Sequence, residues 1–304
     1  MKSLTTISVF LFLCLMTFSV LGQKINYEIL DDDPAFNQLS IMPYLSVYSS
    51  METTLGGFNL GGEVFVRKLP VHVRAHYDYA LLNASITNEF FDAPVTMEIG
   101  AEYPMIKSNA TKQKKFPLKS VGYTTVTTTY IMSDFNIEKM ILARGGLMSY
   151  TGNFSYYNAE FNGVSSDFTV EGNYSTQGIY LGVASLSRSA LKMNASSPNE
   201  DFGTIQKLRY FQFYADIIIG MGMDMGKFED NGLWGSQGIS YDIKEESTLG
   251  NSSVGFRLGS YYLITNKNHN ANGSYLKWEL GTRPSPENEN IWFMVAYGLM
   301  FNMR

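Results

Sequence analysis

The last stretch of the chain, Ile291 to Arg304 (IWFMVAYGLMFNMR), carries a large apolar side chain at every second position: Phe293, Val295, Tyr297, Leu299, Phe301 and Met303. Between them Met294, Ala296, Gly298, Met300, Asn302 and Arg304 are smaller, or turn polar toward the end. Successive strand side chains point to opposite faces, so one long strand is predicted, with a greasy face and a tighter, partly wet one. At a rise of ~3.3 Å per residue it is about 40 Å long, roughly twice an ordinary soluble strand and enough for a tilted bilayer crossing. Such a segment suits the closing strand of a β-barrel that spans a membrane.

The other end of the chain reads as an export signal. Met1 to Gly22 has Lys2 as its only charge, an apolar run from Ile7 to Met16, and Val20 and Gly22 at the minus-three and minus-one positions of a cut before Gln23. The apolar core is shorter than the ~20 residues of a spanning helix. Cys14, the only cysteine, lies inside this run, and LFLCLM lacks the small residues that precede a lipoprotein cysteine. A mature chain without cysteine has neither disulfides nor thiol catalysis. Beyond Gln23 no window of 18 or more apolar residues occurs, which argues against a helical membrane protein. With 20 Tyr, 20 Phe, 27 Gly and a formal net charge of −5, the composition favours β structure and gives no sign of nucleic acid as a partner, and none is expected. No Pro/Ser-rich linker divides the chain. The expected organisation is a signal peptide (1–22), a periplasmic lead-in (23–38) and a barrel (39–304). The Asp31, Asp32, Asp33 run in the lead-in reads as solvated, since nothing nearby completes a metal shell.

Strands are predicted at Ser40 to Ser49, Gly57 to Arg67, Val71 to Leu81, Pro94 to Tyr103, Glu138 to Tyr150, Ser175 to Ser187, Gln206 to Met221, Ser253 to Ile264, Ser274 to Arg283 and Ile291 to Arg304. The third is the clearest, with Val71, Val73, Ala75, Tyr77, Tyr79 and Leu81 alternating with His72, Arg74, His76 and Asp78. Alternation alone does not separate a soluble sandwich from a barrel, in which the apolar face meets lipid and the charged face lines the lumen. Strand length, and aromatics near strand ends such as Tyr79, Tyr103, Trp278 and Phe301, favour the barrel. The class expected is therefore all-β, an antiparallel transmembrane barrel of ten strands. With both termini periplasmic, Thr151 to Tyr174 and Gly222 to Ser252 become extracellular loops and Lys68 to Pro70 a periplasmic turn. Pro104 to Ile137 fits badly. It is either a long periplasmic connection whose Thr-rich segment, Lys119 to Ile131, pairs as a local hairpin, or a source of two more wall strands, making twelve.

The signal peptide, the dyad segments of roughly ten residues and the aromatic final strand resemble bacterial outer-membrane β-barrel proteins. The likeness covers nearly all of the mature chain and is one of pattern, without a motif for any one family. It implies a place in the bacterial outer membrane among outer-membrane lipid and lipopolysaccharide. It also implies a lumen used for transport, packing or an active site, and association with other envelope proteins. In that class the last strand commonly ends in an aromatic residue read by the barrel-assembly machinery; Tyr297 and Phe301 match the alternation and Arg304 departs from it.

The inward-facing charges form the candidate site. They are Glu63, Arg67, His72, Arg74, His76, Asp78, Glu98, Glu102, Arg257, Lys277, Glu279 and Arg283, read as a salt-bridge network that fills a narrow lumen. His72 and His76 are four residues apart on one strand, about 13 Å, so they cannot share a metal ion. No metal or other cofactor is expected. The run Lys112, Lys114, Lys115, Lys119 is compatible with binding phosphates or anionic lipid heads, though a solvated loop explains it too. The leading expectation is a non-enzymatic barrel of structural or interaction role. A passive porin or solute channel is the main alternative, and an outer-membrane hydrolase of the protease or lipid-modifying kind, using His76 and Asp78, a further one.

Overall fold

The computed structural model describes residues 25–33, 37–49, 54–66, 71–85, 95–121, 127–157, 160–161, 164–165, 169–225, 229–230, 253–265, 273–284 and 291–303. The signal peptide and Arg67 lie outside the described residues, as does most of Gly222 to Ser252; of β2 (Asn37–Ser49) and of Asp78 only the backbone is described. The remaining strands are β1 (Asn26–Asp31), β3 (Thr54–Val66), β4 (His72–Ser85), β5 (Val95–Val121), β6 (Thr127–Tyr157), β7 (Glu160–Phe161), β8 (Val164–Ser165), β9 (Thr169–Ser197), β10 (Glu200–Met225), β11 (Glu229–Asp230), β12 (Val254–Thr265), β13 (Gly273–Thr282) and β14 (Ile291–Met303).

Ten strands close into a ring in the order β2, β3, β4, β5, β6, β9, β10, β12, β13, β14. Every neighbouring pair is antiparallel, and β14 returns to β2 from Ile291 beside Ser49 to Met303 beside Asn37. Closure satisfies the backbone without leaving an edge, which is what a sheet crossing a bilayer must do. Ten is the strand number expected, and among the described residues no further strand enters the ring.

Burial decides which face meets what. Ile99, Leu181, Ile217 and Leu299 on the outside are 61%, 55%, 57% and 59% exposed, whereas Arg74 and Arg257 on the inside are 1% exposed. A soluble sandwich has the opposite arrangement, so that reading is excluded. On β5 the apolar outer face runs from Met97 to Ile106, and on β10 from Phe211 to Met221. About ten residues per strand, tilted by roughly 40°, give a band about 25 Å tall.

The poorly fitting segment is the local hairpin, and it continues the wall. β5 and β6 stay paired beyond the belt as far as Val121 opposite Thr127. β9 and β10 do the same to the Pro198-Asn199 turn, where Ser197 donates its hydroxyl to the Glu200 carbonyl at 3.2 Å. The β6–β9 ladder stops at Glu138 opposite Arg188, and the two hairpins part there. Beyond the fork β1 takes the edge of β9 that β6 has left, pairing from Asp31 beside Lys192 to Asn26 beside Ser196. Below the belt the outward faces no longer have lipid to meet. They bury against each other instead: Phe116, Ile131 and Phe135 of one hairpin pack with Leu191 and Met193 of the other, flanked by Ile25, Leu118, Ile137 and Ile205. The result is a small β-sandwich on the side of the barrel that holds β1. Residues 26–31 of the lead-in are thus a strand of this sandwich.

On the opposite side the expected loop Thr151 to Tyr174 is largely ladder. β6 and β9 remain paired out to Tyr157 opposite Thr169, with Tyr150 and Tyr174 in edge contact at 5.8 Å. The alternating Thr, Asn, Tyr and Phe of these segments suit a strand better than a loop.

Phe135 is fully buried in the sandwich, 5.7 Å from Phe116. Phe135→Ala is expected to weaken sandwich packing by about 3 kcal/mol. Limited trypsin digestion should then cut faster at Lys112, Lys114 and Lys115, while the barrel keeps its compact migration in unboiled detergent gels.

Candidate functional site in the lumen

The inward faces of the strands bring together ten of the twelve residues expected there. Glu63, His72, Arg74, His76, Glu98, Glu102, Arg257, Lys277, Glu279 and Arg283 are each at most 6% exposed. Register explains the grouping, because Glu63, His76 and Glu98 stand opposite one another on β3, β4 and β5, as do His72 and Glu102. Arg67 lies outside the described residues. Asp78 is placed by its backbone alone, opposite Gly61 and Thr96.

Two residues not anticipated as part of the network sit at its centre. Asp216 on β10 accepts from Arg144 Nη1 at 3.0 and 3.1 Å and from Arg257 Nε at 3.0 Å. Arg144 also donates from Nε to Glu102 at 3.0 Å, and Gln212 Nε2 donates to the same Glu102 oxygen at 2.8 Å. Arg257 reaches Glu98 on β5, four strands away around the ring. Glu279 is held by Lys277 at 3.0 Å and by the Tyr214 hydroxyl. Glu63 is shared by Arg74 and the Tyr275 hydroxyl, both at 3.2 Å, and His76 Nδ1 is 3.6 Å from it.

Glycines in the wall let these long side chains lie flat. Arg144 meets Asp216 across β9, where the intervening residue is Gly182; a Cβ there would stand 2.1 Å from Asp216 Oδ1. Tyr214 crosses β12 in the same way over Gly259 to reach Glu279, and a Cβ at that position would stand 2.4 Å from its hydroxyl oxygen.

Aromatic rings fill the space between the charges. Arg144 lies 4.0 Å over Tyr214, Arg257 4.9 Å over Tyr180 and Arg74 4.9 Å over Tyr261. Arg283 stacks on Tyr150 at 4.2 Å and Trp292 at 4.1 Å. Tyr214, Tyr261 and Tyr275 form a continuous stack at 5.2 and 5.5 Å. Toward the sandwich the lumen turns apolar, with Met140, Leu142, Leu186, Leu208 and Leu263 buried; at the other end Met148, Tyr150, Tyr174, Tyr180 and Ile218 pack together.

Chemically, the carboxylates of the lumen are engaged by cations and tyrosine hydroxyls rather than poised to act on a substrate. His72 and His76 face different carboxylates, Glu102 at 4.0 Å and Glu63 at 3.6 Å. Among the described residues no group of three His, Cys, Asp or Glu is placed to hold a metal ion.

No protein-family model matches the chain, and no curated protein matches it. Among solved structures it is similar to OpdQ of Pseudomonas aeruginosa, at 9% identity over 90% of this chain and 99% of that one, with a TM-score of 0.19. It is also similar to an anion-selective porin from Comamonas acidovorans, at 7% identity over 92% of this chain and 100% of that one, again with a TM-score of 0.19. Scores this low carry no weight, so the class rests on the chain's own geometry. A closed antiparallel barrel that is apolar outside and charged within is a transmembrane β-barrel of the outer-membrane type.

Asp216→Ala leaves Arg144 and Arg257 buried without their shared acceptor and is expected to destabilise the barrel by about 3–5 kcal/mol. Gly182→Ala forces the same carboxylate away and is expected to cost about 1–3 kcal/mol. Urea unfolding of the refolded barrel, read by the gel shift between boiled and unboiled samples, measures both.

Proposed function

We propose that this chain is a sealed, non-enzymatic barrel of the bacterial outer membrane with a structural role. It anchors the sandwich on one side of the bilayer and the long β6–β9 hairpin on the other, where each is available to other envelope proteins. The observation that carries this reading is contact between opposite walls. Arg74 on β4 and Tyr261 on β12 are diametrically opposed in the ring and lie 4.9 Å apart; Arg283, just after β13, reaches Thr96 on β5 at 3.5 Å. Side chains from facing walls that touch narrow the aqueous path between them, which supports a sealed lumen.

Charge balance supports the same reading. The described lumen holds five carboxylates, Glu63, Glu98, Glu102, Asp216 and Glu279, against five cations, Arg74, Arg144, Arg257, Lys277 and Arg283. A selective pore presents a surplus of one sign to water. Here Arg74, Arg144, Arg257 and Lys277 each lie within hydrogen-bond distance of a carboxylate, and Arg283 bonds to the Thr96 hydroxyl. Nor is a hydrolase favoured, because His76 is turned onto Glu63 and 5% exposed, out of reach of a polymer or lipid substrate.

The passive pore remains the competitor, and planar-bilayer recordings of the purified protein separate the two. The wild type is expected to show no steady conductance. Arg257→Ala combined with Arg74→Ala, which removes two ties across the lumen, is expected to give openings. Steady ion-sized openings in the wild type would sink the sealed reading.

A further inference from the structure

Where the apolar belt ends on the sandwich side, the outward faces become basic. On β10 the exposed Phe213 and Phe211 are followed on the same face by Arg209 and Lys207. On β6 Ile141 is followed by Lys139. On β5 a bulge at Pro104/Ile106 sets Ile106, Lys112, Lys114 and Phe116 on one face, opposite Ile141, Phe135, Ser133 and Ile131 of β6.

The two sheets of the sandwich then bring four of these cations to a common seam. Lys114 Nζ lies 4.8 Å from the Phe135 ring centre, and Lys207 Nζ lies 5.4 Å from that of Phe116, so stems from opposite sheets roof the same small core. Partial burial and then the fields of Arg209, Lys207 and Lys112 push the Lys114 ammonium below the ordinary lysine range. Glu138, the nearby buried carboxylate, is already engaged by Lys107 and Arg188. Like charges gathered against a hydrophobic core raise the local positive potential, which attracts an anion. At this height the anions on offer are lipid phosphates, which sit just outside the hydrocarbon band.

We propose that Lys112, Lys114, Lys207 and Arg209 form a docking site for the phosphate of an anionic glycerophospholipid. Its acyl chains lie on the adjoining outer face around Ile106, Phe211 and Phe213. The site rests on the membrane reading above. It makes specific use of two of the four lysines in the run Lys112, Lys114, Lys115, Lys119: Lys115 points to the other face of its strand, and the side chain of Lys119 is not described.

The test uses the full chain refolded into phosphatidylcholine vesicles with and without phosphatidylglycerol, extracted in mild detergent and examined by native mass spectrometry. Wild type is expected to retain phosphatidylglycerol in preference to phosphatidylcholine, the preference falling as salt is raised. The combined variant Lys112→Gln, Lys114→Gln, Lys207→Gln, Arg209→Gln should lose that preference by about fivefold or more, and Lys115→Gln should keep it. Equal retention of the two lipids by wild type overturns the site, as does an unchanged preference in the combined variant. Displacement of the bound lipid by free glycerol phosphate would reassign the cluster to a soluble anion and overturn it too. A chain that fails to insert, seen as no gel shift on boiling, defeats the membrane reading and takes the site with it. A chain that inserts without preference defeats the site alone.

Discussion

Asp216 accepts hydrogen bonds from Arg144 and Arg257 at once, and through them it ties β6, β10 and β12 to Glu102 and Glu98 on β5. A buried pair of this kind adds little net stability, because removing the charges from water offsets most of their attraction. Its larger effect is on register. If β12 slipped by one residue, Arg257 would turn to the lipid and Phe256 into the lumen. An arginine on the lipid face near the midplane of a barrel costs roughly 2–4 kcal/mol. Arg74, Arg144, Arg257 and Lys277 each impose that penalty on their own strands, so one arrangement of the ring is strongly preferred.

The narrowness of the ring makes this possible and also limits what the molecule does. Ten strands enclose a space only slightly wider than the eight-strand kind that side chains fill. Arginine and tyrosine are long enough to meet from facing walls, and glycine at Gly182 and Gly259 gives them a flat bed. Met140, Leu142, Leu186 and Leu208 pack together as an apolar layer at the sandwich end. In packing terms the lumen is the core of the protein.

The strand faces were legible in the sequence wherever one face was charged and the other apolar. Val71 to Leu81 and Pro94 to Tyr103 are such segments, and in the first of them His72, Arg74 and His76 fall inward while Val73, Tyr77 and Tyr79 fall outward. Arg144 was hidden because its strand is apolar on both faces. Met140, Leu142 and Met148 point inward and Ile141 and Leu147 outward, so the lumen's apolar layers erase the period of two. Asp216 shares the polar face of its strand with Tyr210, Gln212 and Tyr214, and a single carboxylate in that company carries no sign of its partners. Alternation assigns a face, whereas contacts across the ring depend on strand stagger, which no local pattern carries. The sandwich was missed for a related reason. Phe135 and Met193 continue the faces that meet lipid in the barrel wall, and a sequence does not distinguish a lipid tail from a second hairpin.

Glu138 and Arg188 occupy the last rung of the β6–β9 ladder, and Lys107 reaches the same carboxylate from β5. This cluster sits where the wall divides into two hairpins. One side of it leads inward to Met140 and Leu142 of the lumen packing, and the other leads outward to Ile137 and Phe135 of the sandwich. A fork in a sheet exposes backbone groups on the edges it creates, and each new edge needs cover. β1 covers the edge of β9, and Asn136 on β6 donates to Asp32 at 2.7 Å just beyond it. The sandwich is therefore stitched to the barrel at its base by ions and at its edge by the first strand of the chain. Both connections must hold if the barrel is to present the sandwich as a rigid body: the ions of Lys107, Glu138 and Arg188 at the base, and the pairing of β1 with β9 at the edge.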